Sequence, residues 1–382
     1  MKGRLLVLCF ICSMAMPLFA QDLANLQIHG FVTQGLLYSS NNNWYTTTSM
    51  NGNVQWTDGA ISFTNPLTDK LRVGIQLHMY ELGQLGGPNV DVDWASGDYR
   101  VAPWLGFRAG KVKTRVGLFN DSQDVDAVFL WSLLPEAVYP IDNKSFLLSH
   151  MGFDVYGTFD LGKQAGKLNY TGYAGYRDLD LHGGFVNEFA HAPFFNVYTN
   201  APSGSVYGGD IRWQMPLRGA TVGVSELVSR LEGTCLTGNI IVPSNLLYAY
   251  YGQYERGKFY AAAEYRRWPY TGSGIIFSTF PIPIVEDLRE WYVMTSYRVT
   301  NKLQVGTYYS HYLNAAAKDN SLPANYSKDW TISGRYDFNQ YFYAKVEGHF
   351  VHGTALDYYT VTNPTGLKTN SNLLAAKIGF TF

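Results

Sequence analysis

The chain has 382 residues, of which 29 are basic and 30 are acidic, so its formal net charge is −1. A chain this close to neutral gives no reason to expect binding to nucleic acid, which requires a basic surface. Outside the first twenty residues, no apolar run approaches the roughly eighteen residues that a transmembrane helix requires. Aromatic residues make up 16% of the chain and charged residues only 15%, a balance that favours a membrane β-barrel over a soluble enzyme.

Residues 1–20 predict a secretory signal peptide. Lys2 and Arg4 precede a short apolar stretch at residues 5–11, and Ala20 supplies the small residue expected before a cleavage site. Cleavage after Ala20 would remove both cations and leave 27 basic and 30 acidic groups. We therefore predict an exported protein in which residues 21–382 form one domain.

The cysteines give no disulfide framework. Cys9 and Cys12 fall within the signal peptide, so the mature chain would retain Cys235 alone. An exported chain without an internal disulfide must be held together by its own packing.

Most of the mature chain consists of segments in which apolar and polar side chains alternate, a period-two pattern that predicts β-strands. The clearest segment is residues 70–80, where Arg72, Gln76 and His78 share one face and five apolar residues occupy the other. A helix would scatter these residues around its circumference. The sixteen predicted strands are residues 26–39, 54–64, 70–80, 89–100, 104–116, 150–161, 167–178, 205–215, 220–230, 246–255, 258–268, 289–299, 302–313, 327–338, 341–352 and 370–382.

The connections between these strands alternate in length. Turns within pairs are short, whereas connections between pairs are often long, as at residues 179–204 and 269–288. Short periplasmic turns and long outer loops are typical of outer-membrane barrels. Closure of the sheet is required because backbone polar groups find no water in the hydrocarbon layer. We predict an all-β fold, a transmembrane antiparallel barrel of about sixteen strands, which is wide enough to enclose a water-filled channel.

One long interval, residues 110–140, interrupts the alternation. It carries three cations at period two, then three anions, and then an apolar run at residues 129–134 that is followed by Pro135 and Pro140. Irregular segments of this length are uncommon unless they are functional. We predict that a loop at about residues 114–143 folds into the bore and narrows it, with the apolar run anchoring it to the wall. The predicted constriction residues are Lys111, Lys113, Arg115, Asp121, Asp124 and Asp126.

Charged side chains on the inward phase of the strands would line the channel. Cations and anions that face each other across a narrow passage create a transverse field, which favours polar solutes. The alternative is that these charges pair with one another and hold the wall open. The predicted pore-lining residues are Arg72, His78, Arg108, Asp154, Arg177, Asp210, Arg212, Arg266, Arg298, Arg335 and Lys345.

Two regions resemble known porins. Ile28-His29-Gly30-Phe31 in the first strand and Ile378-Gly379-Phe380-Thr381-Phe382 in the last resemble the sixteen-stranded porins of Gram-negative outer membranes. Residues 110–121, followed by Leu133-Leu134-Pro135 and Tyr139, resemble the constriction segment of the DcaP-like porins.

The resemblance implies a homotrimeric channel in the outer membrane of a Gram-negative bacterium, in contact with lipid and lipopolysaccharide. It implies that Phe382 is read by the barrel-assembly machinery and that small polar, often anionic, solutes diffuse passively through the channel. The acidic residues Asp121, Asp124 and Asp126 are a departure from the family pattern, and they argue against a channel that prefers anions alone. The Pro-Glu-Phe-Gly-Gly loop motif of general porins is absent.

Two other functions fit a barrel. A surface-binding or adhesin role would act through the long loops at residues 179–204 and 269–288. An outer-membrane barrel enzyme would need a serine and a histidine near the lipid headgroups. The sequence contains no phosphate-binding loop, zinc-protease helix or nucleophile-elbow motif. We therefore predict no catalytic, metal or cofactor residues.

Overall fold

The computed structural model describes residues 25–87, 89–143, 147–179, 198–235, 238–276 and 280–382. The predicted signal peptide lies outside these residues. Within the described residues, no helix is long and apolar enough to cross a membrane. The strands are β1 (Gln27–Ser39), β2 (Trp56–Pro66), β3 (Leu71–Leu82), β4 (Leu85–Gly86), β5 (Asp91–Ala102), β6 (Leu105–Lys113), β7 (Ser149–Asp160), β8 (Lys167–Asp178), β9 (Tyr198–Gln214), β10 (Ala220–Cys235), β11 (Gly238–Arg256), β12 (Phe259–Ile276), β13 (Phe280–Arg298), β14 (Leu303–Asn314), β15 (Tyr326–Asp337), β16 (Phe342–Gly353) and β17 (Asn370–Thr381).

These strands form one closed antiparallel sheet. Each long strand pairs with its sequence neighbours, and β1 pairs with both β2 and β17 to close the ring. The two-residue strand β4 pairs with β3 across a tight turn, while β3 itself pairs with β5. The wall therefore has sixteen strands, and the predicted fold and strand count are confirmed.

Two predicted loops differ from the structure. Residues 269–276 and 280–288 are strand and not loop, because β12 and β13 remain paired from Trp268 and Leu288 out to Ile276 and Phe280. In the described part of the chain, β14 pairs with β13 only from Leu288 onward, so the prolines of this extension lie on an edge strand, where a missing N–H is tolerated. The predicted loop at 179–204 lies mostly outside the described residues, and its last residues belong to β9.

Side chains alternate between an apolar outer face and a polar inner face. On β16, Lys345 and Glu347 are buried, whereas Val346 is 54% exposed and Phe350 is 48% exposed. On β17, Lys377 is buried and Ile378 is 55% exposed. This is the reverse of a soluble protein, and an apolar outward band with a polar interior is typical of a barrel that spans a membrane.

The interior is filled by the connection between β6 and β7, which we call the constriction loop (residues 114–148, of which 144–146 lie outside the described residues). Its buried apolar side chains pack against aromatic side chains on the inner wall. The Trp131 ring lies 5.1 Å from the Tyr308 ring on β14, and the Phe119 ring stacks 6.3 Å from that of Tyr292 on β13. The predicted anchoring role of the apolar run at residues 129–134 agrees with these contacts.

Candidate pore constriction

The constriction loop enters the bore at Gly117. The Gly117 N–H donates to Ser225 Oγ on β10 at 2.9 Å, and the Leu118 N–H donates to Glu264 Oε2 on β12 at 3.1 Å. Gly117 has a φ of 67°, and a Cβ at this position would lie 2.1 Å from Glu264 Oε1. Only glycine combines this left-handed conformation with so close an approach. The first turn of the loop therefore depends on Gly117.

Asp126 is the most strongly held anion of the loop. It lies 2.8 Å from the ammonium groups of both Lys345 on β16 and Lys377 on β17, and it accepts a hydrogen bond of 2.9 Å from the Tyr343 hydroxyl. Burial alone would raise the pKa of Asp126, but the two ammonium groups and their hydrogen bonds hold it well below its ordinary value. Asp126 therefore stays ionised and fixes the loop to the last two strands.

Asp124 fixes the loop to the neighbouring part of the wall. Its carboxylate is fully buried and accepts hydrogen bonds from Lys113 Nζ at 2.7 and 2.8 Å and from Gln76 Nε2, on β3, at 2.5 Å. Asp124 and Asp126 are two positions apart, so together they connect one turn of the loop to β3 on one side and to β16 and β17 on the other. This turn is held between two parts of the wall.

A third charged group of the loop is partly exposed. Arg115 Nη2 lies 2.9 Å from Asp121 Oδ2, and the side chains of Arg115 and Asp121 are 28% and 19% exposed. Arg212 on β9 donates to the Gly117 carbonyl at 2.9 Å and to Asp210 at 2.9 Å. Asp121 lies 3.9 Å from Arg212 as well. This group can contact water and solute more readily than Asp124 or Asp126.

Wall charges also satisfy the backbone of the loop. Glu347 accepts hydrogen bonds from the N–H groups of Ser132 and Leu133 at 2.7 and 3.1 Å. Arg335 donates to the carbonyls of Ala127 and Phe129 at 2.5 and 2.9 Å. A buried irregular backbone needs such partners because it lacks those of a helix or sheet. The interior charges of β15 and β16 therefore act as hydrogen-bond partners for the loop.

The predicted constriction residues do not share one environment. Lys113 and Arg115 pair within the loop region with Asp124 and Asp121, whereas Lys111 donates to the Val92 carbonyl. Asp124 and Asp126 are buried by their partners. That these residues contact passing solute remains a prediction, which the geometry supports best for Lys111, Arg115 and Asp121.

The predicted pore-lining residues fall into two groups. Most of those near mid-barrel pair on the inner wall, as Arg108 does with Asp154 at 3.2 Å and Arg266 does with Glu290. Arg72 and Arg298 are exposed, and Arg108, Arg212 and Arg335 are half-buried. The buried members are His78, Asp154, Arg177, Asp210, Arg266 and Lys345. Lys345 pairs with Asp126 of the constriction loop, and for the other buried members the alternative of pairing on the wall fits their burial better than solute contact does.

Two cavities lie beside the loop. The larger, of about 320 Å³, is bordered by β3, β5, β7 and β8, and the smaller, of about 40 Å³, lies against the loop and β17. Ile141 borders both cavities. The ionisable residues that line the larger cavity are His78, Asp91, Asp93, Lys111, Asp142 and Asp178. Within the described residues, no group of three or more histidine, cysteine or acidic residues is arranged to hold a metal ion.

Sequence reasoning missed a contact between three loops. The Tyr45 hydroxyl lies within hydrogen-bond distance of Glu136 in the constriction loop and of Asp357 between β16 and β17. Tyr45 and Asp357 are 312 positions apart and meet only because β1 pairs with β17. No local pattern marks such a contact, although Glu136 was visible as the acidic residue next to Pro135.

A closed sixteen-strand antiparallel barrel is an architecture found in bacterial outer-membrane porins. The chain is similar to the anion-selective porin of Comamonas acidovorans at 10% identity and a TM-score of 0.58, covering 94% of this chain and 99% of that one. It is also similar to the outer-membrane channel DcaP of Acinetobacter baumannii, at 12% identity and a TM-score of 0.54 over 94% and 99% of the two chains. A third similar structure is outer-membrane-expressed OmpT of Vibrio cholerae, at 11% identity and a TM-score of 0.57 over 94% and 97%. No protein-family model and no curated protein matches the sequence, so these similarities establish the fold.

Proposed function

We propose that this chain is an outer-membrane porin, a channel through which small polar solutes diffuse passively and without catalysis. The observation that carries this proposal is the constriction loop, which is docked inside a closed barrel and leaves a cavity of about 320 Å³ beside it. A loop that served only surface binding would have no reason to enter the bore. The barrel fold shared with known porins gives further support.

The lining of the larger cavity supports a preference for cationic over anionic solutes. Four aspartates border it, against Lys111 as the one lysine or arginine among its described lining residues. The Lys111 ammonium donates to the Val92 carbonyl, whereas Asp91 and Asp178 are exposed. A narrow passage whose charges are mainly negative raises the local concentration of cations. Small amines and other cationic or neutral polar solutes are therefore the proposed substrate class, in place of the anionic class that the resemblance implies.

The wall lysines that pair with the constriction loop do not offset this acidic lining. Lys113 is committed to Asp124, and Lys345 and Lys377 are committed to Asp126. Lys345 and Lys377 are also buried. Neutralised and covered cations contribute little field to the passage, so the exposed aspartates dominate.

Assembly and membrane contacts belong to the same proposal. In-vitro-folded OmpT of Vibrio cholerae, at 12% identity and a TM-score of 0.54, carries the description "trimer form", which supports a homotrimer here. Phe382 is half exposed and exchanges backbone hydrogen bonds with Gly30 where the barrel closes. Recognition of Phe382 by the barrel-assembly machinery, and contact with lipid and lipopolysaccharide, are proposed from the resemblance.

Solute flux into liposomes tests the proposal. The purified mature protein would be reconstituted, and swelling would be followed with neutral, cationic and anionic solutes of matched size. We expect neutral and cationic solutes to enter faster than the anionic solute. Absence of flux from correctly folded barrels would overturn the channel function, whereas faster anion entry would overturn only the substrate class.

A surface-binding role has one observation in its favour. Strands β10–β13 have 16 to 19 residues, compared with 12 in β14–β17. About nine to eleven residues of a tilted strand span a membrane, so the β10–β13 hairpins project well beyond it. Removing residues 270–286 would reduce cell adhesion and leave conductance intact if the hairpins bind a partner. Unchanged adhesion would reject this second role.

A further inference from the structure

A buried triad of oxygen atoms joins three loops at one side of the passage. Tyr45 Oη lies 2.8 Å from Glu136 Oε2 and 2.9 Å from Asp357 Oδ1. Tyr45 belongs to the loop after β1, Glu136 to the constriction loop, and Asp357 to the loop after β16. Their exposed fractions are 1%, 4% and 6%. The triad therefore connects the constriction loop to the first and last surface loops away from bulk water.

The geometry requires one of the two carboxyl groups to be protonated. A phenol carries a single proton, so the Tyr45 hydroxyl donates a full hydrogen bond to one carboxylate. The other carboxyl can bond to the phenol oxygen only if it is itself protonated and donates. Two ionised carboxylates would instead share one donor while buried close together, an arrangement that costs several kcal/mol per uncompensated charge. One carboxyl proton therefore completes the triad.

The surroundings supply little positive charge to replace that proton. In the described part of the chain, neither Glu136 nor Asp357 forms an ion pair with a lysine or arginine, and Glu136 Oε1 is buried without a hydrogen-bond partner. The titratable groups that face the triad are Asp142 in the constriction loop, Tyr358 and Tyr359 after β16, Tyr80 on β3, Tyr308 on β14, Asp329 on β15 and His349 on β16. Asp329 lies 2.9 Å from His349, so the negative charge of Asp329 offsets any positive charge on the His349 ring.

Backbone strain is concentrated at the same place. Tyr45 has a φ of 47° and Asp357 a φ of 72°, and these are the two non-glycine residues with positive φ in the described part of the chain. The Tyr45 N–H also donates to the Asp357 carbonyl at 2.6 Å. Strained residues persist where surrounding contacts hold them, and they cluster at functional sites and switches. The strain favours opening once the holding contact weakens.

We propose that Glu136, Tyr45 and Asp357 form a proton-dependent latch, in which a shared carboxyl proton fastens the constriction loop to the first and last surface loops. The latch regulates the channel named above and so rests on that proposed function. The Ile141 N–H donates to Glu136 Oε2 at 2.9 Å, and Ile141 borders both cavities. Release of Glu136 therefore frees the part of the loop that borders both cavities.

The pKa values of the two carboxyls set the direction of the switch. Burial raises the pKa of Glu136 well above its ordinary value, and the charge of Asp357 raises it further. Burial, together with the charges of Asp329 and Asp142, raises the pKa of Asp357 to about 7. Burial also raises the pKa of the Tyr45 phenol, so the phenol keeps its proton throughout.

The latched form thus holds a proton that the open form releases. An exposed carboxyl in the open form has a pKa near 4, so between about pH 4 and pH 7 the ratio of latched to open channels falls about tenfold per pH unit. The latch is fully favoured in acid and loses this support as the pH rises through the raised pKa values. Acid therefore holds the constriction loop fixed, and alkali loosens it.

Single-channel recording at symmetric pH tests the latch. We expect one steady conductance level near pH 5 and, near pH 8.5, an increase of at least about tenfold in the rate of transitions between levels. Glu136→Gln replaces the protonated carboxyl with a permanently neutral amide, so this variant should stay quiet at both pH values. Asp357→Asn should do the same, and asparagine tolerates the left-handed backbone at this position. Asp319→Asn, at an exposed loop position, is the matched control and should keep the wild-type response.

The outcomes separate the latch from the channel. A steady wild-type current at both pH values would overturn the latch and leave the porin function standing. The latch would also be overturned if Glu136→Gln and Asp357→Asn both kept the wild-type pH response. Absence of current at every pH from folded barrels would overturn the channel function itself.

Discussion

Burial decides how much each charged contact of the constriction loop contributes to the stability of the protein. Asp126 and its partners Lys345 and Lys377 are almost fully covered, so removal of one member leaves uncompensated charge away from water. The Arg115–Asp121 pair is partly exposed, and exposed ion pairs stabilise proteins weakly. The buried group therefore fixes the loop, whereas the exposed pair adds little to its stability, and its contact with solute stays a prediction.

Replacement of Asp126 tests this difference. Asp126→Ala leaves Lys345 and Lys377 buried without their anion, so the free energy of unfolding should fall by about 3–5 kcal/mol. Because the pKa of Asp126 is held below its ordinary value, this contribution should be present at neutral pH and be lost only as the pH falls below about 4. Denaturant unfolding in detergent, at several pH values, measures this free energy. Asp319→Ala is the exposed control. An equal loss of unfolding free energy in both variants would contradict the role of Asp126 in fixing the loop.

A single glycine controls the entry of the loop into the bore. Gly117→Ala would force a Cβ against Glu264, so we expect both lower stability and a changed single-channel conductance. Gly257→Ala is a close control because Gly257 has a φ of 63° but open space around its Cβ position. Both variants carry the backbone strain, and only Gly117→Ala should move the loop. Unchanged conductance in Gly117→Ala would show that this turn does not shape the passage.

At the scale of elements, the constriction loop behaves as an irregular core rather than as a surface loop. Its backbone donates to Glu347 and accepts from Arg335, and its apolar side chains pack onto the inner faces of β11, β13 and β14. Since the loop replaces a packed core, its apolar anchor should stabilise the whole barrel. The Trp131 ring is central to this anchor because it contacts Tyr308 and is 4% exposed.

Truncation of two tryptophans distinguishes a side chain that anchors the loop from one that lies on the outer wall. Trp131→Ala should lower the free energy of unfolding by about 3–5 kcal/mol, as expected for a large buried side chain, and should make the channel current noisier. Trp330→Ala removes the same side chain from the outer face, where it is 51% exposed, and should leave current noise unchanged. Equal noise in the two variants would contradict an anchoring role for Trp131.

The elements were predictable from sequence to different degrees. Alternation is a local property, so segments such as residues 70–80 identified the strands, and its absence located the loop. The extension of β12 to residue 276 and of β13 from residue 280 was missed because Pro281 and Pro283 are typical of loops, although an edge strand tolerates them. The partners of the loop were not predictable, since Asp126 meets Lys377 across 251 positions and only barrel closure brings them together.

At the scale of the whole molecule, the barrel forms a closed wall and the constriction loop packs against the inside of that wall. Closure pairs every long strand on both sides and turns an apolar surface outward, which leaves the interior free to carry charge. Cations of the interior are used to dock the loop, and the exposed charge that remains around the larger cavity is mostly acidic. The proposed preference for cations rests on this division of roles.

The most direct test is the reversal potential of the purified protein in a planar bilayer under a KCl gradient. We predict a steady open conductance that favours cations, and a weaker preference in the double variant Asp91→Asn/Asp178→Asn. Asp160→Asn, at an exposed position at the other end of β7, should retain the wild-type preference. An anion preference would contradict the proposed role of the acidic lining, and correctly folded barrels that carry no current would contradict the channel itself.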